Sequence, residues 1–223
     1  MNRRAAEEEI APAQSLTDRA YADIEEMIVF LKLAPGSAIS EAELSNHLGI
    51  GRTPIREALQ RLARERLVAI LPRRGIIVSP IDVAAQLRLL EVRRELERLI
   101  ARSAARRATE AERTRFRLLA AGFEKAAKAG DDVAFMRIDR DFNVLCSIAA
   151  HNEFAAGAMS LMHSLSRRFW YLHYKQAADM PLTAKLHADI ARAIAAGDEE
   201  RAAKASDRLL NLIEKFTRST VSP

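Results

Sequence analysis

Cysteine occurs once in the 223 residues, at Cys146, so no disulfide can form within the chain and nothing in the thiol count points to an oxidising compartment. No uninterrupted apolar run is long enough for a bilayer, and the opening stretch MNRRAAEEEIAPAQ has charges but no apolar signal region. A cytoplasmic protein that neither spans nor enters a membrane is the expectation. Glycine and proline are sparse, at 8 and 7 residues, and no glycine-rich phosphate loop or nucleophile elbow occurs, which weighs against an enzyme. With 49% hydrophobic residues the chain is long enough to build a core in each of two domains.

What is present is unevenly placed charge. The net charge is +5 and the isoelectric point about 9.6, which permits nucleic-acid binding without showing it. From Gly51 to Arg74, however, seven arginines stand against two glutamates, while the stretch from Asp18 to Glu43 is acidic. A basic segment beside an acidic one has the character of a docking face.

Residues 1–14 lack apolar periodicity and read as a flexible arm. Tyr21, Ile24, Ile28 and Leu31 then repeat at helical spacing until Ala34-Pro35-Gly36 stops them. Ala38-Ile39 is a short extended piece. Ser40 and Glu43 have the spacing of a capping box for a helix that carries Leu44 and Leu48 and ends at Gly49. A second helix follows at once, with Thr53 as the expected N-cap and Pro54 at its first position. Ile55, Leu59 and Leu62 line one side of it, leaving Arg52, Arg56, Gln60 and Arg64 on the other. Residues 68–71 and 76–78 form a hairpin around Pro72-Arg73-Arg74-Gly75, closed at Ser79-Pro80. Beyond Pro80 the pattern is helical throughout, over 82–107, 109–129, 131–150, 152–175, 182–196 and 198–218.

Two short helices across a glycine, an arginine-bearing outer face and a basic hairpin make a winged helix-turn-helix. The major groove admits one helix, and Arg presents a planar fork that matches guanine O6 and N7. Arg52 and Arg56, one turn apart at the N-terminus, sit where base readers belong, and Thr53 with the first free N–H groups can hold a phosphate.

The stretch PGSAISEAELSNHLGIGRTPIREALQRLARERLVAILPRRGIIVSP closely resembles the DNA-binding domain of the GntR family, over residues 15–80. Gly51 departs from it, standing where the family usually has serine. The resemblance implies that Arg52 and Arg56 read bases, that Thr53 and Pro54 approach the backbone, and that the Arg73-Arg74-Gly75 tip enters a minor groove. Residues 81–223, opening with Leu90-Glu91-Val92-Arg93-Arg94-Glu95-Leu96-Glu97, resemble the FCD ligand-binding domain of the FadR subgroup.

Within that second domain Arg93 falls on the apolar stripe of Leu89, Val92, Leu96, Leu99 and Ile100, where its charge must meet an anion. Either an Asp or Glu of the chain or the carboxylate or phosphate of an effector would serve. Asp139 and Asn143 edge a second stripe, Phe135, Ile138, Phe142, Leu145 and Ala149. Many relatives hold a divalent metal with an Asp-x-x-Phe-His motif and two later histidines. Here Asp139 and His187 remain, but Asn143 and Leu209 occupy two of the places. That set is incomplete for zinc or nickel, so no cofactor is required, and Asp139, Asn143 and His187 are expected to bind an organic effector together with Arg93. His163, Arg167, Trp170 and Tyr174 recur along one helix side and suit either a ligand entrance or a core edge. His47 and His173 read as surface residues and Cys146 as a core filler.

The sequence thus reads as a mainly α protein: a winged helix-turn-helix followed by an all-α bundle. The expected function is a homodimeric repressor on a palindromic operator, modulated by a small carboxylate effector. The alternatives are a metal-dependent enzyme using Asp139 and His187, and a constitutive DNA binder. Relatives with an aminotransferase-like domain are excluded by length.

Overall fold

The computed structural model describes residues 15–71, 75–177 and 179–220, and within them it has ten helices and a small sheet. α1 (Leu16–Val29) begins where the Ser15 hydroxyl accepts from Asp18 N. It stops at Phe30, because Leu31 turns left-handed at φ 58°, so Leu31 lies outside the helix that its spacing suggested. α2 (Glu41–Leu48) is capped by Ser40 and ends on Gly49 at φ 63°, a conformation that costs glycine nothing. α3 (Arg52–Arg64) starts two residues before the sequence pattern indicated. The Gly51 carbonyl accepts from Ile55 N, which makes Gly51 the cap and leaves Thr53 and Pro54 inside the first turn.

β1 (Ala38–Ile39) pairs antiparallel with β3 (Gly75–Val78), which also pairs with β2 (Val68–Leu71), so the expected hairpin is the larger part of a three-stranded sheet in the order β1-β3-β2. Ile24, Ile28, Ile55, Leu59, Leu62, Leu67 and Val78 close a first core among these elements, each fully buried.

The second core belongs to seven helices: α4 (Val83–Arg107), α5 (Glu110–Ala129), α6 (Asp132–Ala149), α7 (Glu153–Ser160), α8 (His163–Ala177), α9 (Met180–Ala196) and α10 (Glu199–Ser219). Thr109 and Glu112 form a full capping box at α5, and Gly130 and Gly197 end α5 and α9 left-handed. The single helix expected over 152–175 is broken: Met162 N bonds back to Met159 O, and the Ser160 hydroxyl donates to Gly157 O. α9 starts earlier than expected, where Asp179 caps Leu182 N and Pro181 sits in the first turn. α9 packs on α5 and α10, and α10 on α4. The buried faces of these seams are largely alanine, including Ala101, Ala104, Ala188, Ala191, Ala202 and Ala205.

The two cores are joined by α1 against α8. Phe30 meets Tyr171 edge-on at 4.9 Å, Arg137 pairs with Glu26 at 3.0 Å, and Arg168 donates to the carbonyls of Ser79 and Pro80.

Candidate DNA-binding surface and effector cavity

Arg52, Thr53, Arg56 and Gln60 are exposed on α3 and Pro54 is half-buried beside them, while Ile55, Ala58, Leu59 and Leu62 take the inner face. The helix therefore turns its cationic side outward because its apolar side is consumed by the first core. Arg56 is not idle: its Nε and Nη2 donate to the Glu41 carboxylate on α2, the shorter contact at 3.0 Å. That hydrogen bond holds Glu41 below the usual carboxylate range and raises Arg56. Arg61, by contrast, lies over the Tyr21 ring at 3.7 Å and pairs with Glu65 and Asp18, which ties it to α1. Gly75 opens β3 at φ 90°, while Arg73 and Arg74 lie outside the described residues.

In the helical body, Arg93, Asp139, Asn143 and His187 line one cavity of about 40 Å³ between α4, α6, α8 and α9. The Asp139 carboxylate has His187 Nε2 at 3.1 Å and Arg167 Nε at 3.3 Å. Burial raises its carboxyl, but the hydrogen bond from His187 and the charges of His187 and Arg167 more than reverse this and hold it below the ordinary range. His187 Nδ1 donates to Thr183 O at 2.8 Å, since a carbonyl can only accept, and its ring packs against Phe123, Phe135 and Phe142. Arg93 answers the question its position posed: it is buried and ion-paired with Glu97, four residues on, with Nε 2.7 Å from Oε1.

Two further polar residues of the lining stand out. His163 reaches it with both ring nitrogens buried and without a hydrogen-bond partner, and burial together with the Arg93 charge pushes its pKa down to about 3. Arg167 spans the boundary between the two cores. Its Nη1 donates to Glu25 on α1 at 2.7 Å and its Nη2 to Met136 O. Asn143, His163 and Arg167 also line a cleft of about 290 Å³ that reaches Tyr21 and Glu25 of α1. The helical repeat of His163 and Arg167 was visible in the sequence; Glu25 carried no such signal, being 142 residues away from its partner.

The residues present do not fit a divalent metal. Two donors converge at Asp139 and His187, the guanidinium of Arg167 already supplies the counter-charge, and Leu209 is an apolar core residue. Among the described residues no group of three or more His, Cys, Asp or Glu is disposed to hold an ion. Cys146 is buried, and burial pushes its thiol well above the normal range. No described helix is long and apolar enough to cross a membrane.

Comparison with known proteins gives a consistent picture. The profile of the FCD domain matches residues 88–212, and that described as bacterial regulatory proteins, gntR family, matches residues 16–78. The HTH-type transcriptional repressor RspR of Escherichia coli K12 is 27% identical over 95% of this chain and 93% of its own. The Nta operon transcriptional regulator of Aminobacter aminovorans is 27% identical over 88% and 98%. Among solved structures, E. coli McbR/YncC superposes with a TM-score of 0.80 at 18% identity, covering 93% of this chain and 99% of that one. A GntR transcriptional regulator from Rhodococcus sp. RHA1 gives 0.70 at 19% identity over 92% and 99%. At such identities these structures speak for the fold alone.

Proposed function

Because the chain belongs to the GntR family of bacterial regulatory proteins and carries an FCD domain, and is a transcriptional regulator rather than an enzyme, we propose that it is a cytoplasmic repressor that binds a palindromic operator as a homodimer and whose affinity is set by a small organic acid. The working division is residues 15–80 for DNA and residues 81–223 for effector and dimerisation. Arg52 and Arg56 read base edges from α3, Thr53, Pro54 and Gln60 approach the same groove, and the Arg73-Arg74-Gly75 tip takes the adjacent minor groove. Two such helices related by a two-fold axis call for two half-sites.

The observation that carries the effector reading is Arg167. One guanidinium touches Asp139 in the cavity and Glu25 on α1, and α1 packs directly on α3. An acid entering beside Asn143 and His163 competes with Glu25 for Arg167, with Arg93 and His187 as further partners for its oxygens. A ligand shifts DNA affinity only as far as it favours one arrangement of α1 over the other, and the contact it would displace is the one that distinguishes them. The alternative of an effector-free DNA binder makes no use of a buried histidine without a partner.

The test begins with genomic fragments retained by the purified protein, followed by a panel of organic acids on the operator so found. The reading requires one acid to change operator affinity in the parent, with Arg167→Met still binding operator but no longer responding. Response retained in Arg167→Met, or no acid shifting affinity or melting temperature, overturns it.

A further inference from the structure

A second and larger cleft, of about 560 Å³, lies where the two cores meet, and it shares no lining residue with the effector cavity. Its walls come from the end of α3 and the turn after it, the Pro80-Ile81-Asp82 link, α4, and the α7–α8 junction. Ile81, Leu89, Leu161, Leu165 and Phe169 make it predominantly apolar. Arg64, Arg66, Arg88 and Arg168 stand in the same walls against a single carboxylate, Asp82, which is already engaged in capping Ala85 N.

Arg168 is the telling residue. It is 2% exposed, and among the described residues no carboxylate pairs with it. Its Nη1 and Nη2 donate to the carbonyls of Ser79 and Pro80, at 2.8 and 3.2 Å, and its Nε–H is buried without an acceptor. Burial pulls its pKa down to about 10. A guanidinium placed so is an uncompensated buried charge, which proteins retain where an anion completes it. Its neighbour in sequence, Arg167, faces the other cavity and has two carboxylates. Adjacent arginines thus serve different sites, and among the described residues only Arg167 has its charge met by carboxylates.

We propose that this junction cleft binds an amphipathic carboxylate: an acid group received by Arg168 with Arg64, Arg66 and Arg88 at the rim, and an apolar body against Leu89, Leu165 and Phe169. The volume lies within the roughly 300–1,000 Å³ common for small-molecule sites. The head group and the body are matched by separate parts of the wall, so a neutral analogue of equal length loses the first and an inorganic anion the second. Because the wall joins α3 to α4 and α8, occupancy fixes how the reading head sits on the helical body, giving the regulator a second input distinct from the effector cavity.

Decanoate is a suitable probe, titrated calorimetrically into the full chain with 1-decanol as the uncharged control. The expected result is saturable decanoate binding, about tenfold weaker or worse in Arg168→Met, and absent for decanol. Arg64→Ala/Arg88→Ala, two exposed positions that leave the fold intact, is expected to weaken decanoate severalfold, while Asp139→Asn leaves it unchanged. No binding by the parent overturns the proposal, as does affinity indifferent to both arginine variants. Loss in Asp139→Asn would put the probe in the effector cavity instead. Sedimentation velocity closes the remaining route: if the Arg64/Arg88 variant changes the oligomeric state and not decanoate affinity, the cleft is a contact between copies and the proposal falls.

Discussion

Arg167 Nη1 stands 2.7 Å from Glu25 Oε1, with side chains only 7% and 3% exposed, so that one ion pair links the helical body to the first helix of the reading head. Removing one member strands the other in a medium that solvates it badly. We expect Arg167→Met to lower the unfolding free energy by about 3 kcal/mol, and Glu25→Met/Arg167→Met to recover part of it, since an apolar pair of similar volume often replaces a buried ion pair without loss, while Asp139 lacks Arg167 in both. Urea denaturation of the three variants measures this; a double variant no better than the single would refute it.

On the proposed docking of α3, Glu41 competes with DNA for Arg56. In the free protein the guanidinium is engaged on α2, so base contact requires that bond to be released. Glu41→Ala is expected to raise affinity for DNA severalfold and to steepen its fall with salt, through both the freed cation and the lost negative charge. Arg56→Ala is expected to bring operator and non-operator affinities together. Fluorescence anisotropy across a salt series reads both.

His163 shapes the acid limb of stability. Its folded pKa is about 3, against roughly 6.5 in an unfolded chain. Below pH 6.5 the unfolded state takes up a proton that the native state refuses, so stability falls as pH drops from about 6.5 towards 3, by at most about 1.4 kcal/mol per unit. In His163→Gln that contribution vanishes. The difference in unfolding free energy between parent and variant should therefore change with pH across this window and be level above pH 7; a constant difference would rule the mechanism out.

Arg113 closes the end of α9. It donates to Ala105 and Ala108 O at the end of α4 and to Ile194 and Ala195 O on α9. Arg113→Met is expected to cost about 2 kcal/mol by chemical denaturation, from carbonyls left without donors. Gly197→Ala should cost about 1–2 kcal/mol, because its φ is 74° and its new Cβ would sit 2.9 Å from Arg113 Nη1. Combined, the two should cost less than their sum, since the first change removes the clash of the second.

Local signals were legible in the sequence where one residue decides the outcome. Gly49, Gly130 and Gly197 end helices left-handed, and Ser40 caps the one that Gly49 ends, because these effects act within a turn. The amphipathic pattern of α3 specified which arginines face outward. Thr53 misled because it too is a favourable cap, and only the bond from Ile55 N to Gly51 O decides between the two. The break at Met162 has no proline to announce it, and the bonds that mark it, from Met162 N to Met159 O and from the Ser160 hydroxyl to Gly157 O, use residues equally at home within a helix. Arg93 was conspicuous as a charge on an apolar stripe, and its anion lay one turn away at Glu97. Arg167 and Glu25 are joined only by the way α1 lies on α8, which no window of sequence contains.

The alanine seams between α4, α9 and α10 bear on how motion is distributed. A methyl side chain has no rotamers to freeze, so ordering the alanine part of these faces costs little entropy. Motion between the two cores, which meet where α1 lies on α8 and where Arg168 holds the Ser79 and Pro80 carbonyls, therefore need not be matched by rearrangement along these seams.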